Sequence, residues 1–112
     1  MVSLARRYAT EQLTVWGLDE AAFTTELMVS ELVTNAIRYG RPPIRLRLIH
    51  RGNTLISEVY DSSGTTPHMR RARIFDEGGR GLLLVAQLAE RWGTRHDRVG
   101  KTVWAEQSLT AL

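Results

Sequence analysis

The stretch from Asp19 to Tyr39 limits the possible folds more than any other part of the chain. It reads as one long helix, with Asp19 placed as an N-cap and with Gly40 and the Pro42-Pro43 pair to stop it. At about 100° per residue, Val29, Leu32, Val33 and Ala36 fall on one apolar face. Glu26, Ser30 and Thr34 cluster elsewhere and read as an ordinary solvent face. A second polar wedge, holding Thr24, Glu31, Asn35 and Arg38, lies between Leu27 and Met28. A helix packed on a core needs only one wet face, so a second polar strip bordered by apolar residues suggests the lining of a cavity.

The flanking segments supply the other layer. Residues 3–16 form a helix ending at Gly17, with Leu4, Tyr8, Leu13 and Trp16 among its apolar positions. Ile44-Arg-Leu-Arg-Leu48 alternates as a half-buried strand does, and Arg51-Gly52-Asn53 turns it into a second strand, Thr54 to Tyr60. Residues 61–77 read as loop. Gly78-Gly79-Arg80-Gly81 then opens a third helix, Leu82 to Glu90, and closing strands fall near Arg91–His96 and Lys101–Glu106, joined around Gly100. Two helices, a hairpin, a helix and a hairpin imply an α+β two-layer sandwich. Its helices pack on one face of a mixed, largely antiparallel sheet. With no repeat or linker, residues 1–112 are expected to be a single domain, either whole or cut from a longer regulator.

Composition narrows the function. The absence of cysteine excludes disulfides and cysteine-bound metal, and His50, His68 and His96 are too scattered for zinc. No apolar run approaches the roughly 20 residues that span a bilayer, and the N-terminus lacks a signal-peptide pattern. A cytoplasmic protein, or the cytoplasmic part of one, is therefore expected. The charge of +3 is carried mainly by arginine, in groups such as Arg45/Arg47/Arg51 and Arg70-Arg71/Arg73. Acids interrupt these groups and aromatic residues do not interleave them, so solvated faces and anion or partner contacts are expected before nucleic-acid binding.

Four segments carry chemistry. Glu31 and Asn35 stack on successive helical turns, where a carboxylate can act as a general base or orient water and an amide oxygen can bind a hard cation. A plain i,i+4 hydrogen bond on an exposed strip is the alternative. Asp61 ends a strand before Ser62-Ser63-Gly64, where its carboxylate could accept an exocyclic amine such as adenine's, or simply close an Asx-turn. Gly78-Gly79-Arg80-Gly81 at a helix start offers close backbone approach, free N–H groups and positive dipole to a phosphate, with Arg80 as a second contact. It is not a dinucleotide fingerprint, because no strand leads into it. Gly100-Lys101-Thr102 is not the end of a P-loop, because a strand follows it.

Read together, Glu31-Leu-Val-Thr-Asn35, Asp61-Ser-Ser-Gly64, Gly78-Gly-Arg-Gly81 and Gly100-Lys-Thr102 resemble the motifs of the GHKL ATPase superfamily. The likeness is nearest to its small anti-sigma-factor serine-protein kinases, especially the actinobacterial form often found behind sensor and serine-phosphatase modules. It extends from Ala5 to Glu106. The resemblance implies the Bergerat fold, ATP and Mg²⁺, with Asn35 on the metal and Glu31 as general base for a protein serine. It implies that Asp61 reads the adenine amino group with Thr102 in support. Gly64, Gly78, Gly79, Arg80, Gly81 and Leu82 would close over the nucleotide, and Arg38 would touch phosphate. The implied partners are an anti-sigma-factor antagonist and a sigma factor, with a homodimer possible and neither nucleic acid nor membrane bound.

The chain departs from that pattern at Ser63 and Thr65, which occupy glycine positions of the second motif, with Gly64 left to supply the turn. The lid of sixteen residues, 62 to 77, is also short, so weak affinity or a partner-ordered loop is expected. The alternative function is a non-catalytic switch in which ATP biases partner binding. A histidine kinase fits less well, because no phosphoacceptor hairpin precedes the motifs.

Overall fold

The computed structural model describes residues 1–63 and 77–109, apart from the side chains of 77–81. Helix α1 is Val2–Val15, a 3-10 turn spans Asp19–Ala21, and helix α2 is Ala22–Tyr39. The hairpin β1 (Arg45–Arg51) and β2 (Thr54–Asp61) follows, then helix α3 (Glu77–Leu88) and a second hairpin, β3 (Arg91–His96) with β4 (Lys101–Ser108). Most of the loop expected over 61–77 lies outside the described residues.

The four strands pair in the order β1-β2-β4-β3, so the two hairpins join through their second strands. All three pairings are antiparallel; the parallel component of the expected mixed sheet is absent among the described strands. Strand alternation then assigns the faces. Leu55, Val59, Val103 and Ala105 are buried beneath the helices, while their neighbours Ile56, Tyr60, Thr102 and Trp104 lie on the open face. The core joins Leu48, Val59, Val103 and Ala105 of the sheet to Val29, Leu32, Val33 and Ala36 of α2 and to Leu82 and Val85 of α3. No helix among the described residues is long and apolar enough to cross a membrane.

Several local expectations are corrected by packing. Asp19 does not cap α2; it begins the 3-10 turn and accepts a 3.0 Å bond from the Thr14 hydroxyl, tying the two helices' ends together. Helix α1 ends at Gly17 in a left-handed conformation (φ 72°), with Leu18 N–H bonded to the Leu13 carbonyl and Gly17 N–H to that of Thr14. This is a Schellman closure, and glycine occupies it without a Cβ penalty. Leu4 and Tyr8 of α1 are exposed, because the helix packs through the small Ala9 together with Leu13. Glu26 and Ser30 do not form a free solvent face. Glu26 accepts a 2.7 Å bond from Thr10, and Ser30 accepts one from Arg6, so this strip of α2 meets the polar side of α1.

Candidate functional site

The second polar strip of α2 runs from the interior outward. Asn35 is 4% exposed, and its Oδ1 has no hydrogen-bond partner among the described residues. One turn earlier Glu31 is half-buried, and one turn later Arg38 is exposed. Nearer the start of the helix, buried Thr25 donates a 2.8 Å bond to Gln107 and fixes α2 against β4. An amide oxygen held in the interior without a donor is costly unless something completes it, on the order of 1–3 kcal/mol. Carboxamide oxygens are suitable ligands for Mg²⁺, which keeps waters and phosphate oxygens in its remaining positions. No group of three His, Cys, Asp or Glu that could hold a metal occurs among the described residues.

Asp61 stands at the end of β2, 1% exposed, and opposite Lys101 of β4 in the strand register. The Lys101 ammonium lies 2.9 Å from Oδ2 and 3.2 Å from Oδ1, and is itself 3% exposed. Oδ1 also accepts the Ser63 N–H at 2.7 Å and the Arg41 N–H at 3.4 Å. Oδ1 thus closes the Asx-turn that the sequence allowed, while Oδ2 has Lys101 as its partner among the described residues. The following backbone is tied to the exit of α2, with Ser62 N–H donating to the Arg41 carbonyl at 2.9 Å and Ser62 Oγ to that of Pro42 at 2.6 Å.

Among the described residues it is Lys101, and not Thr102, whose side chain meets Asp61. Thr102 points to the open face beside Tyr60, because side chains alternate along β4 and Lys101 shares its parity with the buried Val103 and Ala105. That parity was readable in Lys101-Thr-Val-Trp-Ala and is the signal that would have found the lysine.

Gly40 sets how closely α2 approaches this carboxylate. A Cβ there would stand 2.5 Å from Asp61 Cγ and 2.7 Å from the Ala36 carbonyl oxygen. Gly40→Ala is therefore expected to cost about 1–3 kcal/mol by overpacking. It should also displace Asp61, weakening any ligand held there. Urea unfolding and nucleotide titration of the variant would check both effects.

The glycine segment opens the third helix as expected, but from inside it and not ahead of Leu82. Helix α3 begins at Glu77, so Gly78, Gly79, Arg80 and Gly81 form its first turn. N–H groups in the first turn of a helix have no helical acceptor and suit an anion. Leu82 is 2% exposed in the core beside Val85, so only its backbone could reach a ligand. Gly64 and Thr65 lie outside the described residues. The α2 strip, the β2 end and the start of α3 thus come from elements packed on one another through Val29, Leu32, Ala36, Leu82 and Val85. Two open depressions, of about 600 and 650 Å³, lie on the other side of the sheet, so they do not mark this site.

Comparison with known proteins identifies the family and the fold. The family described as histidine kinase-like ATPase domain matches residues 1–106. Among solved structures, the histidine kinase domain of the blue-light activated histidine kinase from Erythrobacter litoralis EL346 is similar in fold, with a TM-score of 0.60 and 23% identity. The match covers 82% of this chain but 46% of that one. No curated protein matches significantly.

Proposed function

Because the chain belongs to the family of histidine kinase-like ATPase domains, and so is an ATP-binding regulatory domain, we propose that it is a protein serine kinase of the anti-sigma-factor type. Its substrate would be a small anti-sigma-factor antagonist, with phosphorylation deciding whether the domain holds that protein or a sigma factor. The observation that carries the reading is the buried Asn35 with its unpartnered Oδ1, one turn after the half-buried Glu31. Bound Mg²⁺ would neutralise charge on the phosphates. Asn35 Oδ1 would hold that cation. Glu31 accepts the proton of the serine hydroxyl as its oxygen bonds to the γ-phosphorus and the bond to the ADP oxygen breaks. Asp61 accepts the adenine amino group on Oδ2, and the first-turn N–H groups of α3 face the phosphates, with Arg38 and Arg80 as cationic contacts. A domain with this role would work in the cytoplasm, where its nucleotide is abundant.

Glu31→Gln is the direct test. Loss of general base assistance is expected to lower phosphotransfer to the antagonist by about 10²–10⁴-fold while ATP affinity stays within a few-fold. Unchanged phosphotransfer, read with γ-labelled ATP, would remove Glu31 from the chemistry.

A second reading, a switch that binds ATP without transferring phosphate, is favoured by Ser63, which stands buried at a glycine position of the second motif. Partner affinity that changes with ATP while no phosphate is transferred would establish this alternative.

A further inference from the structure

The open face of the sheet is built from strand positions that point away from the helices. In register, Arg45 stands beside Tyr60, Tyr60 beside Thr102, and Thr102 beside Arg95. The next row sets Arg47 beside Glu58, Glu58 beside Trp104, and Trp104 beside Gly93; the row after it runs Ile49, Ile56, Glu106, Arg91. Arg51 ends the β1 column. Five arginines against two glutamates give this face an excess of positive charge, with Asp97 at its edge in the depression lined by Arg45 and Arg95.

The face is also internally ordered. Glu58 is held by Arg47 at 3.0 Å and by Arg95 at 3.2 Å, and Glu106 by Arg91 at 2.9 Å. Neither Arg45 nor Arg51 has a carboxylate partner among the described residues. The Arg45 guanidinium lies 5.4 Å from the centroid of the Tyr60 ring. Between these arginines on the face are half-buried Ile49, Ile56 and Trp104, with the indole set closely against Gly93. Arg45 and Arg51 are six residues apart on β1, or about 20 Å at strand rise.

We infer that this face docks an acidic protein segment, with carboxylates on Arg45 and Arg51 and an apolar side chain on the Ile49–Ile56–Trp104 strip. Arginine and tryptophan around an apolar centre is the composition of binding hot spots. A second copy of the chain fits poorly, because isologous pairing would set one positive face against another. A phosphate backbone fits poorly too. It needs a run of available cations, whereas Arg47, Arg91 and Arg95 are engaged by glutamates and the two remaining arginines flank apolar residues. The inference does not depend on nucleotide binding.

The test uses the full chain and two labelled peptides, a Glu–Ser repeat and the same repeat with two central residues replaced by leucine. Fluorescence anisotropy should show salt-sensitive binding, tighter for the leucine peptide. Arg45→Glu/Arg51→Glu should weaken it by about tenfold or more, since each attraction becomes a repulsion. Arg6→Glu/Arg7→Glu on α1, with the same change in net charge, should leave binding within about twofold. The inference is overturned by equal losses in both variants or by no binding of either peptide. It is also overturned by tighter binding of a 20-nucleotide oligo-dT that Arg45→Glu/Arg51→Glu abolishes, or by a dimer in sedimentation that the same variant breaks.

Discussion

Asn35→Leu is expected to make the domain more stable and, at the same time, unable to hold Mg²⁺-ATP. The two effects share one cause. The Asn35 side chain is buried and its Oδ1 has no partner among the described residues, so the folded state carries the cost of a desolvated acceptor. Leucine has similar size and no polar atom, and removing an unsatisfied acceptor should add about 1 kcal/mol, or roughly 4 °C in Tm. A ligand contact to a divalent cation disappears with it. At about 3 kcal/mol that loss corresponds to two orders of magnitude in Mg²⁺-assisted ATP affinity. An amide kept for architecture would behave in the opposite way, losing stability on substitution and leaving the titration unaltered. Calorimetric binding and thermal unfolding of one purified variant therefore separate a ligand-binding Asn35 from a structural one.

The second large effect concerns Lys101. Lys101→Met leaves the Asp61 carboxylate in the interior without its cation, and breaking one side of a buried pair costs about 3–5 kcal/mol. For a domain of this size that is a large fraction of the total stability. The double variant Asp61→Asn/Lys101→Met keeps an acceptor for the Ser63 N–H and removes both charges, so most of the loss should be recovered. Urea midpoints of the two variants check this. If the single variant falls within about 1 kcal/mol of the parent, the pair contributes as little as an exposed one and the ion pair does not hold β2 against β4. The double variant also bears on function. If it still binds ATP selectively over GTP, the charges of Asp61 and Lys101 play no part in reading the base.

Much of this architecture was legible before any coordinates. The period of α2 identified the residues that bury, because Val29, Leu32, Val33 and Ala36 recur at helical spacing and have one core to enter. The hairpins were legible from alternation and from the Gly52-Asn53 turn, where Gly52 has φ 58°. Helix boundaries were less so. Asp19 has the chemistry of a cap, but the short α1–α2 connection and its bond from Thr14 place it in a 3-10 turn. The glycines at 78–81 discourage a helix locally, yet α3 includes them, since the packing of Leu82 and Val85 on α2 outweighs a propensity cost of about 1 kcal/mol per glycine.

The sequence alone determined the α+β layering, the apolar face of α2 and the stacking of Glu31 on Asn35. All of these follow from periodicities that one segment contains within itself. Tertiary structure alone decided that Asn35 Oδ1 is left without a partner among the described residues and that Lys101, not Thr102, meets Asp61. It also decided that five arginines from β1 and β3 gather on one open face. Each of these depends on which residues are opposed across strands and layers distant in sequence. Burial and register set those pairings, and neither is a property of any single segment.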